Sequence, residues 1–123
     1  MILIININNI NNQQELKGIK NGYNWRYVGQ VVNGLPEGKG IEYYPNGDRY
    51  EGDFRNGKRE GKGIIYYHNS ERYEGDFKND KAEGKGIYYY NNGDREMGDY
   101  YNGKEIGKHV MLKSNGEVKI NNY

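Results

Sequence analysis

At 123 residues the chain has the length of one domain. Apolar residues make up only 34% of it and mean hydropathy is −1.15, which argues against a deep globular core. A net charge of +1 gives no support to nucleic-acid binding, and the absence of Cys excludes a disulfide framework or a thiolate site.

Residues 1–14 are Ile and Asn with two Gln, apart from Met1 and Leu3. Asn6 and Asn8 interrupt the apolar start and no basic residue precedes it, so a signal peptide is not expected. Two readings of this segment are open: a loosely ordered tail, or a strand that caps the first repeat. Residues 15–26 resemble a worn half-unit. Glu15-Leu16-Lys17-Gly18-Ile19 parallels Glu60-Gly61-Lys62-Gly63-Ile64 and would pair with residues 27–31, covering the first sheet edge.

From Tyr27 onward the chain repeats. Tyr50-Glu51-Gly52-Asp53-Phe54 returns as Tyr73-Glu74-Gly75-Asp76-Phe77, a step of 23 residues. Weaker copies start at Tyr27 and Glu96, giving units 27–49, 50–72, 73–95 and 96–118. A fixed period of this size marks a supersecondary unit stacked on its neighbours, which needs little core. It also explains why 14 Tyr and 19 Gly recur in register, unlike the composition of a disordered chain.

Inside a unit the alternation is that of strands, with Tyr50 and Phe54 on one face and Glu51 and Asp53 on the other. Asn56-Gly57 is a two-residue hairpin turn, and Gly61-Lys62-Gly63 is expected to open a second strand through Tyr67. Turns at Asn46-Gly47-Asp48, Asn69-Ser70-Glu71 and Asn92-Gly93-Asp94 lead into the next unit. Each unit is therefore a β-hairpin, and the chain is expected to form one all-β antiparallel meander. About eight strands are expected, with an N-terminal capping strand as an option. Gly52, Gly75, Gly98, Gly63 and Gly86 sit where a strand would not choose glycine, so aromatic rings are expected to lie on the bare backbone. The last unit departs from the pattern: Glu96 stands for the leading Tyr and His109 for a glycine. Residues 119–123 form a C-terminal tail that begins another unit.

The motif Tyr-Glu-Gly-Asp-Phe-x-Asn-Gly-Lys-x-x-Gly-x-Gly at a 23-residue period resembles the MORN (membrane occupation and recognition nexus) repeat over residues 27–118. The resemblance implies successive hairpins in an elongated twisted sheet. It also implies a non-catalytic role, in cytoskeletal, ciliary or membrane-junction settings or beside lipid kinases and lysine methyltransferases.

Catalysis finds no support in the residues. Ser70 and Ser114 are the Ser present, both in turns, and His68 and His109 fall at different repeat positions. No cofactor and no metal site are expected. Two surfaces remain as candidates. Tyr43, Tyr66, Tyr89, Tyr50, Tyr73, Phe54 and Phe77 are expected to line an aromatic groove that takes an extended or helical segment of a protein partner. Lys39, Lys62, Lys85, Lys108, Arg49, Arg72 and Arg95 form two cationic columns able to hold an acidic phospholipid headgroup, unless Glu37, Glu60, Glu83, Asp48, Glu71 and Asp94 neutralise them. The leading expectation is a scaffold or adaptor in a cytoskeletal or ciliary assembly. A phosphoinositide-dependent membrane tether is the alternative, and a regulatory subunit of a separate enzyme chain is a third. An end-to-end homodimer through free sheet edges and a cytoplasmic or peripheral-membrane location complete the expectations.

Overall fold

The computed structural model describes residues 3–10 and 13–123, with side chains from residue 13 onward. The reading of residues 1–14 as tail or strand therefore concerns, in part, residues outside the described set. Eleven strands run in chain order. They are β1 (Leu3–Ile10), β2 (Gln13–Lys20), β3 (Tyr23–Val32), β4 (Leu35–Tyr43), β5 (Arg49–Arg55) and β6 (Lys58–Tyr66), then β7 (Arg72–Lys78), β8 (Lys81–Tyr89), β9 (Arg95–Tyr101), β10 (Lys104–Leu112) and β11 (Val118–Asn122). Each pairs antiparallel with the next in one open sheet. The all-β meander expected from the alternation is the observed fold. It is longer than eight strands, because β1, β2 and β11 continue the pairing at both ends.

The turns explain the register. Asn56 and Gly57 both adopt left-handed backbone angles, φ 51° and 82°, as a two-residue hairpin turn requires. Arg55 therefore pairs directly with Lys58, and β6 starts there rather than at Gly61. Gly61, at φ 79°, sits beside the register shift between Gly52 and Phe54. A bulge of this kind bends the strand. The hairpins starting at β3 and β7 carry shifts at the matching place, and the one starting at β9 carries its shift one residue earlier, between Met97 and Asp99.

Consecutive pairing lines up residues across the whole sheet. One row reads Leu16, Tyr27, Glu42, Tyr50, Ile65, Tyr73, Tyr88, Glu96 and Met111. A second row is glycine: Gly29, Gly40, Gly52, Gly63, Gly75, Gly86 and Gly98. The two rows meet on one face. Tyr50 lies flat on Gly63, where any Cβ would collide with its ring. Its hydroxyl donates to the carbonyl of Asp53 at 2.8 Å. Tyr27 repeats this on Gly40 and Tyr73 on Gly86. Phe54 and Phe77 wedge between these rings edge-on. The contacts run unbroken from Tyr27 through Phe54, Tyr50, Phe77 and Tyr73 to Tyr100, with centroids 5.0–5.3 Å apart. This spine is the core, and it needs only one layer of sheet because the glycine row lets rings approach the backbone.

Candidate functional site

The seven aromatics expected in one groove divide between the two faces, which corrects that expectation. Tyr50, Phe54, Tyr73 and Phe77 are buried in the spine, at most 4% exposed. Tyr43, Tyr66 and Tyr89 lie on the opposite face. Arg49 pairs with Tyr66 while its neighbour Tyr50 pairs with Ile65, so the pleat separates the two tyrosine sets. On that far face the tyrosines alternate with arginines across the sheet: Arg26, Tyr43, Arg49, Tyr66, Arg72, Tyr89, Arg95. Guanidinium groups stack on the rings at 4.7 Å (Arg26 on Tyr43), 3.9 Å (Arg49 on Tyr66) and 3.7 Å (Arg72 on Tyr89).

The cationic columns share this far face, and carboxylates accompany them. Lys39 pairs with Asp53 at 2.5 Å, Lys62 with Asp76, and Lys85 with Asp99 at 3.4 Å. Arg49 and Arg72 pair with Glu51 and Glu74, two residues along the same strand. Lys62 and then the amide of Lys85 hold the Asp76 carboxyl below its ordinary range. Arg95, at the end of the third unit, and Lys108, in the last, are exposed. Neutralisation thus comes from residues other than those expected. Glu37 and Glu60 instead accept the backbone N–H of Asn56 and Asn79, one hairpin further on. Asp48, Glu71 and Asp94 accept from His68, Asn91 and Ser114 in the same way. These carboxylates tie each turn to the one before it.

A cavity of about 750 Å³ opens on the ring face at the N-terminal end of the sheet. Its walls are Trp25, Tyr23, Tyr44 and Pro45, with Lys20, Glu42, Arg59 and Asp80 among them. Trp25 extends the aromatic spine, stacked 6.3 Å from Tyr27. Tyr44 reaches the same face because it is one residue beyond Tyr43, so the column Tyr44, Tyr67 and Tyr90, rather than Tyr43, Tyr66 and Tyr89, lies on the ring side. Glu42 occupies a spine position and is only 2% exposed. It accepts from Trp25 Nε1 at 2.5 Å and from the Tyr44 hydroxyl. Lys20 Nζ stands 3.8 Å away. Burial, with the Glu42 charge next, raises the Tyr44 pKa well above the usual phenol range, so Tyr44 stays a donor.

The far wall depends on a departure from the repeat. The hairpin turns at Asn33-Gly34, Asn56-Gly57 and Asn102-Gly103 use glycine second, whereas the β7–β8 turn uses Asp80 at φ 71°. A side chain there is strained, and what it gains is a grip on Arg59. The Arg59 amide donates to Asp80 Oδ1 at 2.8 Å and its guanidinium donates to the Asp80 carbonyl. Arg59 Nε, 3.5 Å from Asp80 Oδ1, is buried without a hydrogen bond. The sequence signals were present but weak. Trp25 sits in the worn half-unit, Glu42 reads as an ordinary strand charge, and Asp80 reads as a routine turn residue.

Comparisons with known proteins agree with this architecture. A family model described as the MORN repeat matches residues 27–49, 50–72 and 73–95. No curated protein matches the chain. Among solved structures, the sheet is similar to the SAS-4 (dCPAP) TCP domain of Drosophila melanogaster, determined in complex with a proline-rich motif of Ana2 (dSTIL). The TM-score is 0.54 at 15% identity, over 90% of this chain and 64% of that one, a likeness of fold. The matched repeats span more than half of the chain and coincide with the hairpins that carry the tyrosine-on-glycine contacts: the chain belongs to the MORN repeat family.

Proposed function

We propose that this protein is a non-enzymatic scaffold that holds an extended segment of a protein partner on the ring face of its sheet. The observation that carries this reading is the cavity walled by Trp25, Tyr23 and Tyr44, with Tyr23 68% exposed at its rim. Large rigid rings with polar edges are what protein interfaces concentrate. Further along the same face Tyr67, Tyr88 and Tyr90 continue the aromatic surface, with centroids 5.8 and 4.8 Å apart. The proline-rich motif held by the TCP domain belongs to the class of ligand such a surface suits, an extended chain with little ordering entropy to lose. A membrane-tethering reading draws less support, since Lys39, Lys62, Lys85, Arg49 and Arg72 each already face a carboxylate.

Selection of displayed random peptides on the purified chain tests the proposal. The expected result is a shared motif whose synthetic peptide perturbs Trp25 fluorescence and binds at least about tenfold more weakly to Tyr23→Ala, a hot-spot-sized loss. Failure to enrich any motif, or equal binding to Tyr23→Ala and to Tyr66→Ala on the far face, would contradict it.

A further inference from the structure

Glu42 has the environment of a group built to receive a cation. It sits between Tyr27 and Tyr50 in the row that carries the spine, yet it keeps its carboxylate there at 2% exposure. Two ring edges, Trp25 Nε1–H and Tyr44 O–H, point at that carboxylate. Donation to an anion pushes electron density into both rings, which makes their faces better partners for positive charge. The third contact is an ammonium. Lys20 Nζ sits 3.8 Å from Glu42 Oε2, on a side chain 28% exposed at the β2–β3 turn. That distance is longer than a hydrogen bond, so the ammonium rests beside the carboxylate without closing on it. The opposite cation, Arg59, is committed elsewhere by its contacts to Asp80. Counting Glu42, Asp80, Lys20 and Arg59, the cavity is neutral with Lys20 in place and carries one negative charge when the Lys20 side chain swings out.

We infer that the cavity is a subsite for an alkylammonium group, the side chain of a lysine carried by the bound partner segment, and that Lys20 is the built-in occupant it displaces. The inference rests on the protein-binding reading above and adds the chemistry of one partner residue. The aliphatic stem runs along Trp25, Tyr44 and Pro45. The ammonium takes the Lys20 position beside Glu42. The cavity of about 750 Å³ is larger than one lysine side chain, which leaves room for flanking backbone.

Trp25 is the sole tryptophan, so its fluorescence reports on this wall alone. The experiment titrates the full chain with n-butylammonium, n-butanol and butyrate at matched ionic strength, in the native sequence and in Lys20→Met and Glu42→Gln. The expected result is a saturable Trp25 change with butylammonium only, about threefold tighter in Lys20→Met because the internal competitor is gone, and lost in Glu42→Gln. Lys20→Met decides the matter even if Glu42→Gln does not fold, because a merely structural Lys20 would give weaker or unchanged binding. An equal response to butanol would make the cavity apolar only. A response to butyrate would invert its charge preference. Silence in both the native chain and Lys20→Met would remove the subsite. Each of these three results overturns the inference while leaving peptide selection to judge the scaffold reading. Butylammonium binding without any selected peptide would show the reverse: a cation subsite with no protein segment.

Discussion

Hairpin 50–66 and hairpin 95–112 solve the same packing problem from opposite strands. In the first, Tyr50 on β5 crosses to lie on Gly63 of β6 and donates to the Asp53 carbonyl at 2.8 Å. In the second, the leading residue is Glu96, and the ring comes from β10 instead. His109 lies on Gly98, where a Cβ would strike the imidazole. Its Nε2 meets the Asp99 carbonyl at 2.8 Å, the counterpart of the tyrosine contact. Ring and glycine have exchanged strands, and the aromatic spine continues through Tyr100 to His109 at 5.4 Å and on to Tyr123 at 4.9 Å. What the unit requires is one ring on one bare glycine with a carbonyl to bond; which strand provides the ring is secondary.

The exchange adds a buried carboxylate. Glu96 is 2% exposed, and it accepts from Tyr90 at 2.8 Å, Tyr123 at 2.6 Å and Asn121 at 3.3 Å. His109 Nδ1 stands 3.3 Å away without a hydrogen bond. Burial pushes the Glu96 pKa up, but the donors from Tyr123, Tyr90 and Asn121 outweigh it and leave the pKa below the ordinary carboxylate value. The C-terminal unit thus adds a buried, charge-assisted polar cluster to its rings, where the row position of Glu96 is filled by Tyr50 and Tyr73 in the middle units.

Removing a wedge should cost the middle of the sheet most. Phe54→Ala deletes a ring that touches both Tyr27 and Tyr50, and should lower unfolding free energy by about 3–5 kcal/mol. Urea unfolding measures this, with an unchanged slope expected. Gly63→Ala should follow, at about 3 kcal/mol, because its Cβ meets the Tyr50 ring from a rigid backbone. Gly103→Ala is the control. It has open space around the Cβ and strain only from φ 82°, and should cost about 1 kcal/mol. Equal losses at Gly63 and Gly103 would mean that the rings do not need the glycine row.

Acid and alkali should separate the two regions. Glu96 titrates below its unfolded value of 4.5, so the folded state binds fewer protons in that window. Its stabilisation is present above that pH and is lost as pH falls through the folded pKa. Burial raises the phenol pKa of Tyr27, Tyr50 and Tyr73 above the unfolded value of 10.0. Their contribution is intact below pH 10 and disappears as pH rises beyond it. Amide exchange should therefore show β9–β11, where the titrating carboxylate is buried, loosening more than β3–β8 below pH 4.5, where surface carboxylates such as Asp76 titrate. The tyrosine spine of β3–β8 should loosen above pH 10. The smallest effect belongs to the far face. Asp76→Asn, which breaks an exposed pair with Lys62, should change stability by less than about 1 kcal/mol.

Much of the fold was readable from spacing. The 23-residue step, the Asn-Gly turns and the misplaced glycines together give the meander and the rings on bare backbone. Face assignment was harder. Tyr66 and Tyr67 are adjacent, and which one joins Tyr50 depends on the register across Asn56-Gly57 and the bulge at Gly61, where one residue reverses the answer. The cavity was hidden for a different reason. Its walls come from single departures at Trp25, Glu42, Arg59 and Asp80, and a repeat is recognised by discounting such departures. His109 was visible as a substitution for glycine, but its compensation by Glu96 needs the two strands side by side.

That compensation is also the sharpest test. A double-mutant cycle would compare Glu96→Tyr, His109→Gly and the pair together by urea unfolding. Glu96→Tyr forces a second ring onto a site that His109 already fills, and His109→Gly leaves Gly98 bare, so each single change should cost about 2 kcal/mol. Together they rebuild the arrangement of hairpin 50–66, and the pair should recover about 2 kcal/mol relative to the sum. Additive losses would contradict the claim that one ring on one glycine is the repeating element of the fold.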